Sequence, residues 1–261
     1  MRKSLIIFLL VSLFASCFKG GVAAQELLPL ETSREIFRSA GDWEKKWEVL
    51  TIGVVGLTFL VAVDGEIYNF VQDNKSQFTE GVAKYIGPMG GGTVVLPGFL
   101  AGYTLGKIRE DERLLQAVGQ AWESYLISGL LVTMGKQLTH RHRPSHGADP
   151  HRWEGPKLST EHLSFPSGHS ATAFSLATSF AEVYKESHPW LPCLTYSLAG
   201  LVAFSRVHES HHWASDVFVG SVLGWAVARQ VGKIHQEEKQ EGGKWRIDLA
   251  RGPAVKWEWS F

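Results

Sequence analysis

Along most of the chain, apolar positions recur with a helical period, and only the extreme C-terminus alternates in the manner of a strand. The clearest stretch is 113–134. There Leu115, Val118, Trp122, Tyr125 and Leu126 fall on one side of a helix, and Gln116, Gln120 and Glu123 on the other. Residues 171–183 and 194–204 read as buried helices rich in small side chains, and 217–228 as a further apolar helix ended by Arg229. Residues 49–63 are apolar or small up to Asp64, a run shorter than the ~20 residues a membrane span needs. Residues 85–106 carry no charge, but Pro88, Pro97 and seven glycines lie among them. This predicts an irregular 87–92 and a helix begun at Thr93 that breaks at Pro97, where a new one starts. From Lys233 the chain turns polar, with a break at Gly242-Gly243. At its end Val255, Trp257, Trp259 and Phe261 alternate with Lys256, Glu258 and Ser260, which fits a short terminal strand and an ordered tail equally. The expected fold class is all-α, a helical bundle with its site at helix ends and room for one short C-terminal strand.

The N-terminus changes this picture. Arg2 and Lys3 precede a largely apolar run at 5–14, and small residues lead to Ala23-Ala24 before Gln25. That is the shape of a secretory signal peptide over 1–24. The alternative is lipoprotein processing at Cys17, which follows Leu13-Phe14-Ala15-Ser16. The remaining chain divides into an N-terminal helical part at 25–110, a helical core at 111–232 and a polar tail at 233–261. Two cysteines cannot make a disulfide framework, and no zinc-type cysteine spacing occurs. Lys+Arg equals Asp+Glu, so net charge gives no pull toward nucleic acid; any taste for phosphate must come from a local cluster of cations. Ten tryptophans and the uncharged 85–106 run favour contact with a bilayer. The mean hydropathy of −0.04 and the amphipathic 113–134 helix favour a bundle that does not span one, or is only partly embedded.

Three groupings carry candidate chemistry. In the first, six residues separate Lys136 from Arg143-Pro144. A helix end followed by a Pro stop places both cations together, either as an anion clamp or merely as a basic C-terminus suited to the helix dipole. The second is Pro166-Ser167-Gly168-His169, a tight turn entering a helix. Backbone N–H groups at such a start bind anions, and His169 at its mouth suits proton delivery; the plain alternative is Ser167 as an N-cap beside an incidental histidine. In the third, Ser205-Arg206 is followed by His212 and Asp216, four apart and therefore on one helix face. A carboxylate on one ring nitrogen leaves the other free to attack phosphorus, although an isolated surface His–Asp pair does nothing of the kind.

Taken together and in this order, the groupings resemble the type 2 phosphatidic acid phosphatase superfamily, which includes bacterial acid phosphatases, lipid phosphatases and vanadium haloperoxidases. The family pattern is K-x6-R-P, then P-S-G-H, then S-R-x5-H-x3-D. Lys136, Arg143, Pro144, Pro166, Ser167, Gly168, His169, Ser205, Arg206, His212 and Asp216 match every fixed position, over roughly residues 115–230. The resemblance implies a phosphatase in which His212 takes the phosphoryl group and Asp216 orients it. His169 then serves as acid and afterwards as base. It further implies that Lys136, Arg143 and Arg206 clamp the phosphoryl oxygens with help from Ser167 and Gly168, and that no metal or other cofactor is needed, vanadate acting as an inhibitor.

His140, His142, His208 and His211 fall off the fixed positions and read as lining or solvated residues. A metal site among the clustered histidines is an alternative that lacks a matching carboxylate set. Two further alternatives are a vanadium-dependent haloperoxidase, with His212 on vanadium, and a phosphate or lipid-phosphate binder without activity. Chain length argues against the first and the retained His169, His212 and Asp216 against the second. The expected partner is a phosphorylated small molecule or, given export and apolar helices, a lipid-linked phosphate at the periplasm or cell envelope. Specificity is expected before Lys136 and in the 145–163 loop, where His146, His151, Arg152, Trp153 and Lys157 could contact a head group but read more simply as an ordinary polar loop.

Overall fold

A computed structural model describes residues 56–147 and 149–240, with four two-residue strand segments between Gly243 and Trp259. The expected signal peptide, Cys17 and the first part of the 49–63 run lie outside the described residues. The chain divides into two compact units, one of them Asp42–Glu238 and the other combining Met1–Gly41 with Lys239–Phe261.

In the larger unit, helical backbone at 56–62 leads into α1 (Asp64–Asp73) and α2 (Gln77–Ile86). A 3-10 turn at Gly87–Gly90 precedes α3 (Gly92–Ile108) and the long α4 (Glu112–Thr139). Then come a 3-10 turn at Pro144–His146, α5 (Gly168–Tyr184), α6 (Leu191–His208) and α7 (Ala214–Gln240). This is the expected all-α bundle. In the second unit Gly243–Lys244 pairs antiparallel with Glu258–Trp259, and Ile247–Asp248 with Ala254–Val255, so part of the alternating tail is strand.

Caps set several boundaries. Ser76 and Thr79 form a capping box at the start of α2, and the Asp111 side chain accepts from Leu114 N–H at the start of α4. His140 closes α4 in the left-handed conformation, with φ 40°. Three expectations fail. Pro97 sits inside an unbroken α3. A proline there removes one hydrogen bond near the helix start, and ring packing of Phe99 on Trp122 and Tyr125 holds the helix to α4 across that gap. The helix of 217–228 does not end at Arg229, because Ala228, Val231, Ile234 and His235 continue its buried stripe.

The side of α4 expected to be polar is also buried, while the expected apolar side is buried at Val118 and packs on α3 through Trp122 and Tyr125. Gln120 and Glu123 are buried with Ala117, Ala121, Ser124 and Ser128, whereas Leu130 and Leu138 are exposed. The bundle packs on small side chains, and the polar ones are satisfied locally. Ser124 and Ser128 Oγ donate to carbonyls one turn back, Ser128 meets Ser175, and Glu123 pairs with His235 at 2.9 Å. Backbones approach most closely where α7 crosses α5. A Cβ on Gly220 would stand 2.3 Å from the Ser167 carbonyl oxygen, and one on Gly224 2.0 Å from that of Ala171. That crossing sets the start of α5 against the first turn of α7.

Candidate active site

The end of α4 carries Lys136 in its last turn, and the left-handed His140 reverses the chain so that Arg143 comes back toward it. Lys136 Nζ donates to the Leu163 carbonyl at 2.5 Å, and Arg143 Nη2 reaches the same oxygen at 3.5 Å. Burial, reinforced by the Arg143 charge, pulls the Lys136 pKa down to about 8. Burial also lowers Arg143 and Arg206, though a guanidinium stays charged. Arg206 lies near the end of α6, where its Nε donates to Ser205 Oγ and its Nη2 to Glu209. Its guanidinium occupies space that Gly87 leaves open, since a Cβ there would stand 2.0 Å from Nη2. The glycine-rich 87–92 stretch thus packs on the site. A Cβ on Gly91 would lie 3.2 Å from His169 Nε2.

Ser167 is fully buried, and its Oγ caps α5 by accepting from the Ser170 N–H at 3.4 Å and the Ser170 hydroxyl at 3.0 Å. Its own N–H donates to the Asp216 carbonyl at 2.9 Å. Gly168 and His169 follow as the first helical residues, whose N–H groups have no partner within a helix. His169 is drawn down to about 4 by burial and then by Arg206, His212, His211 and Lys136. It is therefore neutral in the empty site.

His212 does not share a helix with Asp216, contrary to expectation. It stands in the turn between α6 and α7, which Ser210 enables with φ 60° and which the Arg206 carbonyl ties down through the His211 and His212 N–H groups. Asp216, in the first turn of α7, reaches back to accept the Trp213 N–H at 3.0 Å, half of a capping box. The turn still brings His212 Nδ1 to 3.7 Å from Asp216 Oδ2. That is an electrostatic contact rather than a hydrogen bond, and Nδ1 is buried without a partner. Burial drops the His212 pKa to about 4 against the pull of Asp216, with Lys136 and Arg143 acting in the same direction as burial. The ring is thus neutral over the ordinary pH range. Asp216 is fully buried, which alone would raise its pKa; His212, Arg141 and Ser164 outweigh that and hold it low.

The structure gathers Lys136, Arg143, Arg206, His169 and His212 into one electrostatic neighbourhood, with Asp216 behind His212. Ser167 and Gly168 frame it as a helix start. Of the histidines off the fixed positions, His140 and His208 are buried rather than solvated, bonded to the Gln137 carbonyl and Thr79 Oγ1. His142, His162 and Glu154 have ligand atoms within 4.8 Å of one another, a donor set of zinc type. However, the two rings stack face to face at 3.5 Å and 18°, so their in-plane lone pairs run side by side instead of converging on a point. Glu154 is also engaged by His142 at 2.7 Å and Lys157 at 2.5 Å, which hold its pKa at about 2. The cluster reads as a ring stack closed by an ion pair.

One residue that sequence reasoning passed over dominates the interior of the site. Arg141 is completely buried between Asp216, reached by Nη1 at 2.6 Å, and Asp64, reached by Nη2 at 2.7 Å. A charged residue set between His140 and His142 in the first motif was its only signal.

A family model described as PAP2 superfamily matches residues 117–240. Over 113 residues, 40% of this chain and 22% of the relative, the chain is 34% identical to a lipid A 1-phosphatase of Porphyromonas gingivalis. Over 101 residues, 39% of this chain and 47% of the relative, it is 33% identical to an undecaprenyl-diphosphatase of Sulfolobus acidocaldarius. The matched segments thus span less than half the length of these relatives. Among solved structures, Aquifex aeolicus LpxE superposes with a TM-score of 0.52 at 21% identity, covering 64% of this chain and 93% of that one. A transmembrane PAP2 type phosphatidylglycerolphosphate phosphatase from Bacillus subtilis superposes with a TM-score of 0.55 at 20% identity, covering 70% and 94%. At these identities the superpositions speak for the fold.

Proposed function

We propose that this chain, whose residues 117–240 match the PAP2 superfamily model, hydrolyses phosphomonoester or diphosphate bonds of a lipid-linked substrate, through a phosphohistidine on His212 and without a metal ion. The observation that carries this reading is a buried, neutral imidazole beside Lys136 and Arg143, with Arg206 acting on the neighbouring His169 and a buried carboxylate at 3.7 Å from the imidazole Nδ1. Phosphoryl transfer spreads charge over the equatorial oxygens, so fixed positive charge and positioning do most of the work. Lys136, Arg143 and Arg206 supply that charge, and the Gly168 and His169 N–H groups add a helix start.

His212 Nε2 attacks phosphorus while the bond to the leaving oxygen breaks. Nδ1 keeps its proton toward Asp216, so the ring becomes a phosphorylated cation. The leaving oxygen takes a proton from His169. In the empty site His169 is neutral, but an arriving phosphate cancels the cations that depress it and lets it gain that proton. In the second half, water gives a proton to His169 and attacks phosphorus, the P–N bond breaks, and inorganic phosphate departs.

A lipid-linked substrate is supported by the names of the two relatives and by the surface before Lys136. Phe70, Phe78, Leu100 and Ile108 are large apolar side chains exposed on α1–α3. These side chains fit contact with a lipid surface at the cell envelope, and among the described residues no helix is long and apolar enough to cross a membrane. The test is acid-labile, alkali-stable labelling of the protein by a phosphorus-labelled substrate, compared with His212→Ala, across a panel of lipid and soluble phosphates. Labelling is expected in the parent protein and absent, with turnover, from the variant. A His212→Ala protein that still turns over would remove the residue from the mechanism.

A further inference from the structure

The matched family segment begins at residue 117, yet part of what holds the nucleophile comes from well before it. Asp64, Tyr68 and Gln72 are spaced four apart on α1 and therefore share one face. All three grip the turn carrying His212, or the elements on either side of it. Gln72 Nε2 donates to the Val207 and His208 carbonyls at the end of α6, at 3.3 and 3.4 Å. Tyr68 hydroxyl meets Ser210 Oγ at 3.0 Å inside the turn, and its ring packs edge-on against Trp213. Asp64 Oδ1 accepts the Ser215 N–H at 2.8 Å and Oδ2 the Ser215 hydroxyl at 2.5 Å, so this carboxylate sits at the N-terminus of α7.

Asp64 also holds Arg141, which holds Asp216. The Arg141 fork is filled completely. Nη1 takes Asp216 and Ser215 Oγ, Nη2 takes Asp64 and the Pro150 carbonyl, and Nε takes the Pro150 carbonyl again. The guanidinium lies 4.4 Å from the Trp153 ring centroid and 5.7 Å from that of Trp213. Asp64, Arg141 and Asp216 are each fully buried, so no water shares their charge. Two carboxylates and one guanidinium leave the buried cluster with one net negative charge behind His212, facing the Lys136 and Arg143 charges on the other side of the ring. A neutral imidazole does not need it. An imidazole made cationic by phosphorylation does.

We infer that Asp64 and Arg141 are positioning residues for phosphoryl transfer. They fix Asp216 behind His212 and keep the buried cluster one negative charge in excess, which stabilises the ring when phosphorylation makes it cationic. The inference rests on the phosphohistidine reading and assigns a role in it to a helix outside the matched segment. The α1 face makes the catalytic turn rigid, and the excess charge favours the phosphorylated cation over the resting ring. Binding of substrate, which draws on Lys136, Arg143 and Arg206, does not depend on it.

The test is Asp64→Asn, which keeps the side-chain volume and removes the charge. Steady-state rates and rapid-quench measurement of phosphoenzyme formation are read on one soluble phosphate monoester. The expected result is a fall in kcat and in the phosphoenzyme formation rate of about 10- to 100-fold, with KM within about twofold. A wild-type kcat with only a lowered Tm would overturn the inference and leave Asp64 a structural residue. A proportional rise in KM with kcat intact would overturn it too. Tyr68→Phe deletes one hydroxyl and no charge, and keeps the test alive should Asp64→Asn not fold; about a fivefold lower kcat is expected, and no change overturns the positioning role of α1. His212→Ala separates the two levels. If it remains active, the phosphohistidine reading itself falls. If it is inactive while Asp64→Asn and Tyr68→Phe match the parent protein, only the positioning inference falls.

Discussion

Gly87→Ala tests the site's geometry with a single methyl group. Gly87 has φ −50° and ψ −48°, so alanine suits its backbone. The new Cβ would stand 2.0 Å from Arg206 Nη2 and 3.1 Å from Ser205 Oγ. Non-bonded heavy atoms rest about 3.5 Å apart, so the guanidinium must retreat by roughly 1.5 Å. For folding this is cheap, because the displaced atom ends a flexible side chain, and Tm should move by no more than about 2 °C. For the site it is expensive. A misplacement near 1 Å costs a positioned catalytic group about 100-fold, close to ~2.7 kcal/mol of transition-state stabilisation. The assay is kcat/KM on a soluble phosphate monoester beside a thermal melt. Gly81→Ala is the control, a mid-helix glycine in α2 with nothing within 4 Å of where the added methyl would stand, expected to gain about 0.5–1 kcal/mol of stability at unchanged activity. If Gly87→Ala keeps kcat/KM within about threefold of the parent, Arg206 is not a clamp held by that contact, and the assignment of the 87–92 stretch to the site is wrong.

Other outcomes follow from the same geometry. Lys136, with its pKa lowered to about 8, loses its charge as pH rises through that value, so kcat/KM should fall above pH 8. That limb lies above the second ionisation of a phosphate ester near ~6 and should disappear in Lys136→Arg. At the acid end His212, at about 4, becomes cationic as pH falls through that value, and a second limb is expected there. Glu123→Ala removes the buried hydrogen bond to His235 and should cost about 1–3 kcal/mol in a melt while kcat stays unchanged, since the pair lies away from the clamp. Vanadate should inhibit competitively and EDTA should leave turnover intact; loss of activity on chelation, restored by a divalent ion, would contradict metal-free chemistry.

The site was legible in sequence where its residues act through local spacing. Lys136 and Arg143 straddle a helix end, and Pro166-Ser167-Gly168-His169 begins a helix, so short-range rules suffice to put them at those ends. His212 and Asp216 were paired for a partly mistaken reason. The spacing of four suggested one helix face, whereas a left-handed residue at Ser210 and a capping interaction at Trp213 bring them together across a turn. The α4 faces misled because polarity is a poor guide to burial when helices pack on small side chains. Glu123 is inside because His235, 112 residues away, meets it there, and no window along the chain contains both.

The same distance hides Asp64. It ends an apolar run and looks like a helix stop, but its partners Arg141 and Ser215 lie 77 and 151 residues further on. A buried acid at the edge of an apolar segment is costly unless something compensates it, which makes such a position a place to expect a partner. Here the partner is the guanidinium that also holds Asp216. On the proposed reading, the motif residues specify what touches phosphate. The inferred positioning of His212 rests on residues that local patterns do not reveal, Asp64 on α1 and the Arg141 that it holds.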